Sequence, residues 1–367
     1  MGHVLVLGAG NGGFAAAADL SRRGVEVALY NRSDAALEPV RAQGGVRYEG
    51  VFGTGLAPVA AATTDLASVV PDADLILACV PATAHAFLAR ELAPLLGDGQ
   101  PVVLNPGGVL GALAFARDLR AAGFRGVVRL AETGTLTHIC RKPDPGSVRV
   151  TSVATDLPFA ALPGRETAVF AAEVAAALPH LLPVQHTLAT ALTNVNTVLH
   201  PPAMILAAAW IEHTGGDFAY YYDTATPSVA RLLAALDAER LAVARAWRVY
   251  AEPFLELFAR IGSTSRAAAD AGDFRQALVD SAPNRYIKAP PSLDHRYMHE
   301  DLPFGAVPLA DLGHAAGAPT STYDAVVTLA STITGRDYRA EGRTLARLGL
   351  AGRSVDDVLA LLVEGRI

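Results

Sequence analysis

The chain opens Met1-Gly2-His3-Val4-Leu5-Val6-Leu7-Gly8-Ala9-Gly10-Asn11-Gly12-Gly13-Phe14, and the fold turns on how this stretch is read. A short apolar run, His3 to Leu7, breaks into glycines. A helical pattern follows from Phe14 to Arg23, and a second strand candidate from Val25 to Tyr30. Strand, glycine turn, helix and strand in that order form the first βαβ unit of a dinucleotide-binding domain. The glycines serve three geometric ends. Gly8 permits the tight turn, Gly10 lets a pyrophosphate approach the backbone, and Gly13 allows close packing of helix on strand. Asn11 and Gly12 complete the turn, and the helix N-terminus directs free amides at the phosphates. Glycine triplets alone mostly mark turns; the order of elements around this one makes it a cofactor site.

The end of the second strand selects the cofactor. An acidic residue there hydrogen-bonds the ribose 2′-hydroxyl of NAD, but this chain has Tyr30-Asn31-Arg32-Ser33. Asn31 keeps a hydrogen-bonding group without negative charge, and Arg32 with Ser33 suits a 2′-phosphate through a charge-assisted contact. NADP(H) is favoured over NAD(H), with Asp34 leaving room for NAD and a solvated loop as the bland reading of Arg32. Two further strand ends, Cys79-Val80-Pro81-Ala82 and Asn105-Pro106-Gly107-Gly108, border the crevice of a doubly wound sheet. Val80, Pro81, Asn105, Pro106 and Gly107 therefore join the expected cofactor contacts.

The 367 residues leave room for about two domains at roughly 150 residues each. Apolar runs at Leu75 to Val80, Val102 to Asn105 and Val127 to Ala131 alternate with alanine-rich helical segments such as Ala84 to Leu96, the pattern of a parallel sheet covered by helices. From about Thr187 helix-period segments dominate, and Ser228 to Ile261 reads as one long helix or a pair interrupted near Pro253. The proline-bearing stretch Leu178 to Pro183 marks the seam. The expected organisation is an α/β Rossmann domain over residues 1–185, doubly wound with a mostly parallel sheet, and an all-α domain over residues 186–367.

Composition excludes partners rather than naming them. With 36 acidic and 30 basic side chains the formal charge is −6, without the clustered cationic excess that nucleic-acid phosphates require. At 51% apolar and 18% charged residues the chain buries enough surface to offset its entropy, which excludes disorder. Two cysteines, Cys79 and Cys140, make no disulfide framework and point to a reducing compartment. The opening lacks the features of a signal peptide, and no run approaches the roughly 20 apolar residues of a membrane span. A cytoplasmic protein without membrane or nucleic-acid partners is expected, and apolar helix faces in the second domain suit either its core or a homodimer seam.

Hydride exchange with a nicotinamide needs a group that handles a proton, and histidine is best matched to that near neutral pH. Of the ten histidines, His200 stands apart. In Asn194-Val195-Asn196-Thr197-Val198-Leu199-His200-Pro201-Pro202, polar groups recur at helical spacing and two prolines are expected to stop or redirect the chain. Residue physics alone leaves two readings, a satisfied structural histidine and an acid/base. A second dense segment runs from Ser292 to Gly305, for which a surface loop of mixed charge is the bland reading. His295, His299 and Glu300 stand at one-turn spacing but complete no ligand set, so no metal is expected. Asp294 is suited to orienting a histidine and stabilising its protonated form.

Taken in order, these segments resemble the opine dehydrogenase family, which includes octopine dehydrogenase, over nearly the full chain. The matching elements are Gly8 to Gly13; Asn105-Pro106-Gly107; Ala131-Glu132-Thr133-Gly134-Thr135-Leu136 through Cys140-Arg141; Asn194 to Pro201; Phe218-Ala219-Tyr220-Tyr221 with Thr226-Pro227-Ser228-Val229; Asp237-Ala238-Glu239-Arg240; and Asp294 to Pro308. The glycine motif is shared with many dehydrogenases; the other elements together are far more specific. The resemblance implies a Rossmann domain and a helical domain, with the opine formed in the cleft between them. It also implies joining of an amino acid to a 2-oxo acid such as pyruvate, with reduction of the imine by NAD(P)H. The family's catalytic His-Asp pair falls on His200 and Asp294, and Glu132, Thr135 and Cys140 fall at positions expected near substrate.

Both substrates carry carboxylates, for which Arg141 and Arg296 are candidate partners, with Arg285 and Lys288 as further cations. Gly108-Val109-Leu110 stands where arginine-using members tend to place a polar side chain, which weakens an inference to L-arginine. Two other functions fit parts of the chain. A ketopantoate-reductase-like or hydroxy-acid dehydrogenase shares the Rossmann start but usually relies on a lysine donor, where this chain has Asn194, Asn196 and His200. A non-catalytic NADP(H)-binding sensor would keep the glycine motif while losing the dyad.

Overall fold

The glycine-rich opening folds as a βαβ unit in the computed structural model, which describes residues 2–365. Met1 and residues 366–367, the outer ends of the two expected domains, lie outside the described residues. In chain order the strands are β1 His3–Leu7, β2 Glu26–Tyr30, β3 Gly45–Gly50, β4 Gly55–Pro58, β5 Ala61–Thr63, β6 Leu75–Ala78, β7 Pro101–Leu104, β8 Arg129–Thr133, β9 His138–Arg141, β10 Ser147–Val153, β11 Leu157–Leu162 and β12 Leu181–Pro183. Eight of them make one sheet in the order β12-β11-β8-β7-β6-β1-β2-β5. All its neighbours are parallel except β11 with β8. The order reverses at β1, which places the ends of β1, β2 and β6 at the switch point where a doubly wound sheet binds its ligand.

The first helix, Asn11–Arg22, packs on this sheet and also on a second one, with order β4-β3-β10-β9. Contact on both sides explains its composition: Ala15, Ala16, Ala17 and Ala18 are all buried, and methyl side chains let two sheets approach one helix closely. The second sheet is absent from the sequence expectation. It depends on a parallel pairing of β3 with β10, Arg47 against Ser147, which local periodicity does not encode. The strand expected at Val127 to Ala131 is observed two residues later, so Glu132 and Thr133 lie within β8 and not in the turn after it. The Leu178 to Pro183 stretch, expected as a seam, supplies edge strand β12, a position where proline is tolerated.

Two compact units result: residues 1–191 with 359–367, and residues 192–358. The division thus falls after residue 191 instead of 185, and the last residues of the chain count with the first unit. The second unit is built from helices. The Ser228 to Ile261 segment resolves into Pro227–Ala246 and Phe254–Arg260, with the Thr226 hydroxyl accepting the Val229 amide at the first helix start. The helix Asn196–Leu206 runs through Pro201 and Pro202 instead of stopping there. Among the described residues no helix is long and apolar enough to cross a membrane.

Candidate functional site

In the first unit the glycine turn is shaped as its residue types require. Gly8 has φ +107°, and a Cβ there would meet the Cys79 carbonyl oxygen at 2.8 Å. At Gly13 a Cβ would lie 1.7 Å from the Gly8 carbonyl oxygen, so helix and turn touch backbone to backbone. Gly10 differs: a Cβ would meet nothing within 4 Å, and no side chain caps the helix that starts after it. An open approach to uncapped amides suits a pyrophosphate. Asn31 accepts the Ala9 amide (3.1 Å) and donates to the Ser33 carbonyl (3.0 Å), tying the turn to the end of β2.

A cleft of about 380 Å³ opens here, lined by Gly8, Tyr30, Asn31, Arg32, Val80, Pro81 and Phe87 among others. The Arg32 guanidinium stands 5.5 Å from the Phe87 ring centroid. Asp34, the residue that left room for NAD, pairs instead with Arg41 at 2.8 Å. A cation that the sequence reading missed lies on the other side of the turn. Lys142 donates its ammonium to the Ala9 carbonyl (3.0 Å) and its amide to Asn11 Oδ1 (2.9 Å), with Nζ 4.1 Å from the Phe14 ring. Burial holds this ammonium below the usual lysine range, and among the described residues no carboxylate pairs with it.

Several expected contacts serve the fold. Asn105 is fully buried and commits its amide to Thr137 Oγ1 (2.7 Å), the Thr137 amide (3.1 Å) and Thr133 Oγ1 (3.1 Å). Glu132, also fully buried, accepts the Ala112 amide (2.7 Å) at the start of helix Gly111–Ala121 and the Thr190 hydroxyl (2.6 Å). Its carboxylate thus serves the N-terminus of that helix. Gly107 is small for the same reason, since a Cβ there would lie 2.4 Å from Glu132 Oε2. Cys140 is buried among core residues, and burial pushes its thiol up to about 11. Thr135 is exposed, with its carbonyl taken by Thr133. Arg141 is exposed on β9 and donates to the Cys140 carbonyl. Val109 and Leu110 are fully buried, so the apolar departure noted there belongs to the core.

In the second unit His200 sits in the helix interior, 7% exposed. Pro201 and Pro202 remove two amide donors from this helix, and the Tyr220 hydroxyl reaches in to donate to the His200 carbonyl at 2.6 Å. The imidazole is held on three sides. Nδ1 lies 2.8 Å from Asp301 Oδ2, Nε2 lies 2.8 Å from the Tyr221 hydroxyl, and Tyr297 stacks on the ring at 3.8 Å and 16°. A second hydrogen bond joins the Tyr221 and Tyr297 hydroxyls at 2.9 Å. Because a carboxylate only accepts, Nδ1 carries the proton and Nε2 is the exchangeable atom.

The expected pairing of His200 with Asp294 is corrected by this geometry. The Asp294 side chain is 89% exposed and accepts from His299 Nε2 at 2.7 Å. His295 follows it and accepts the Tyr297 amide through Nδ1 (3.3 Å), opening the short helix Arg296–His299. Burial, with the neighbouring Arg296 and His200 charges, pushes His295 down to about 4, which keeps that nitrogen free to accept. Past the helix, Asp301 is buried and its carbonyl accepts the Ala306 amide (2.8 Å), the five-residue spacing of a π-turn over Leu302–Ala306. Such turns recur at functional sites because they redirect a side chain within a helix. Arg296 is exposed and pairs with Glu300 at 3.0 Å. His295, His299 and Glu300 thus take separate partners. Asp301, Tyr221 and Tyr297 lie within the sequence motifs quoted above, but residue type and spacing assign them no role.

Comparison with known proteins follows the same division. Residues 183–334 match the family model of the α-helical domain of NAD/NADP octopine/nopaline dehydrogenases, and residues 4–159 match that of ketopantoate reductase PanE/ApbA. An opine dehydrogenase of Arthrobacter sp. (strain 1C) is 37% identical over 347 residues, 95% of each chain. Two solved structures share the fold: octopine dehydrogenase with NADH and L-arginine (TM-score 0.76, 21% identity, 99% of this chain and 98% of that one) and yersinopine dehydrogenase with NADP+ (TM-score 0.73, 18% identity, 99% and 98%).

Proposed function

As a member of the opine dehydrogenase family, this chain is an NAD(P)-dependent oxidoreductase acting on CH–NH groups, and we propose that it condenses an amino acid with a 2-oxo acid such as pyruvate to an N-(1-carboxyalkyl) amino acid, and catalyses the reverse oxidation. The observation that carries this reading is the buried His200–Asp301 pair with Nε2 facing a hydroxyl. When bound, the nicotinamide exchanges hydride with the substrate carbon. His200 moves the matching proton: neutral imidazole takes it in oxidation, and imidazolium returns it in reduction. Asp301 fixes the tautomer and stabilises the imidazolium, and the stacked Tyr297 face adds cation–π attraction. Arg296 is the candidate partner for a substrate carboxylate, its guanidinium fork being suited to bidentate contact.

The uncapped helix after Gly10 and the Lys142 ammonium suit the cofactor phosphates, and Arg32 suits a 2′-phosphate. Arg32 lines the cleft while Asp34 directs Oδ1 to Arg41, an arrangement that supports NADP(H) over NAD(H). Arg32→Ala is expected to weaken NADPH binding about tenfold, the worth of one charge-assisted hydrogen bond, with NADH affinity nearly unchanged. Titrating nicotinamide fluorescence with each cofactor checks this, and equal losses for both remove the 2′-phosphate contact. The activity itself is tested by following nicotinamide absorbance with NADPH, a panel of 2-oxo acids and a panel of amino acids. Absorbance loss that needs both substrates supports the reading, whereas turnover of ketopantoate alone replaces it with a hydroxy-acid dehydrogenase.

A further inference from the structure

We propose that the Tyr221 hydroxyl is the group through which His200 exchanges its proton with the substrate nitrogen, and that Tyr297 is the positioning residue that holds it there. The inference rests on the opine dehydrogenase reading and concerns a step that reading leaves open, namely how a buried imidazole reaches the amine. Nδ1 is committed to Asp301, one ring face is covered by Tyr297, and His200 is 7% exposed. The atom left to move a proton is Nε2, which already lies 2.8 Å from the Tyr221 hydroxyl. A proton leaving Nε2 along this hydrogen bond passes to Tyr221 first.

A hydroxyl has one proton and two lone pairs, enough to relay a proton between two partners while accepting from a third. In the oxidative direction its proton points at neutral Nε2, one lone pair accepts from Tyr297, and the other faces the substrate amine. The amine N–H bond breaks as a new O–H bond forms on Tyr221. The original Tyr221 proton passes to Nε2, giving an imidazolium beside Asp301. The electron pair of the substrate Cα–H bond leaves as hydride to the oxidised nicotinamide, and the amine becomes an imine. In reduction each bond change reverses. Tyr221 ends every pass as a neutral phenol, so no tyrosinate is required. The Tyr221–Tyr297 hydrogen bond of 2.9 Å fixes the orientation of the hydroxyl beside Nε2.

The test compares parent, Tyr221→Phe and Tyr297→Phe in single-turnover reduction, with NADPH affinity read by nicotinamide fluorescence and the rate measured in mixtures of H2O and D2O. Tyr221→Phe is expected to slow the hydride step by about 10²-fold or more, the usual range for a lost proton-transfer group, with KM and NADPH affinity little changed. Tyr297→Phe should fall between parent and Tyr221→Phe. The parent's rate should depend on the D2O fraction with curvature, because two protons move together. A Tyr221→Phe rate within twofold of parent, or a linear dependence in the parent, overturns the proposal; the parent's curve decides alone if the variant does not fold. His200→Ala separates the two ideas: loss of turnover there with Tyr221→Phe active leaves the acid/base reading standing and removes the relay. A parent that turns over no substrate pair sinks both.

Discussion

Asp301→Asn is expected to lower kcat by about 10³- to 10⁴-fold, the loss that follows when the carboxylate orienting a catalytic histidine becomes an amide, while Asp294→Asn stays within about twofold of the parent. The difference comes from what each acid touches. Asp301 is buried and accepts a hydrogen bond from the Nδ1–H of His200, which leaves Nε2 with its lone pair. An asparagine at 301 offers an N–H in place of a charge, so Nδ1 accepts, the ring proton moves to Nε2, and the acid/base atom is blocked. The imidazolium formed during oxidation also loses its counter-charge. Asp294 is solvated and bonded to His299, so its amide variant changes a surface contact. Steady-state kinetics with NADPH binding as a control checks both, and a larger effect at 294 than at 301 would reverse the assignment.

Asp237→Ala is expected to cost about 3–5 kcal/mol, the range for removing one partner of a buried ion pair, with kcat per folded molecule unchanged. Arg240 is fully buried and gives Nε (2.9 Å) and Nη2 (2.6 Å) to Asp237 Oδ1, with further bonds to the Leu192 and Glu252 carbonyls. Asp237 Oδ2 accepts the Phe254 amide at 3.0 Å, which ties the start of the next helix to the same pair. Truncating the acid strands a guanidinium without water. The double variant Asp237→Ala/Arg240→Met should recover part of the loss, because replacing both charges removes the desolvation cost. Urea titrations of the three proteins test this, and a single-variant loss below about 1 kcal/mol would mean the pair is not a structural hub.

That pair illustrates how specific a motif can be without being catalytic. Asp237-Ala238-Glu239-Arg240 is among the elements that carry the family resemblance, and its side chains hold helices together. Glu239 accepts the Thr322 and Tyr323 amides at the start of helix Ser321–Thr334 (2.8 and 3.1 Å). Glu132 is a related case in the first unit: an acid expected near substrate whose buried carboxylate also holds a helix N-terminus. Spacing identifies such residues as unusual, and only their partners show the kind of work they do.

The first βαβ unit was legible from residue type because its constraints are local. Gly8 needs a positive φ, Gly13 leaves no space for a Cβ, and β1 ends where glycine begins, all within thirteen residues. His200 was legible as a candidate for a similar reason: a histidine ahead of two prolines inside an otherwise helical, polar-striped segment is an uncommon local choice. The identity of its acid was not local. Asp294 and Asp301 lie seven residues apart in the same charged segment, and either satisfies a sequence rule for a dyad. A buried-acid argument favours the second, since Asp301 is followed by the apolar run Leu302 to Pro308, but solvation had to be seen to be used. The π-turn after Asp301 brings its carboxylate to a ring 101 positions earlier in the chain. The pairing of β3 with β10, like the hydrogen bond between the Tyr221 and Tyr297 hydroxyls, similarly joins segments that no periodic pattern links. Backbone conformation and helix amphipathicity are properties of neighbouring residues, so the chain carries them openly. Which acid loses its water and meets the histidine depends on how distant helices pack, and that is set by the fold as a whole.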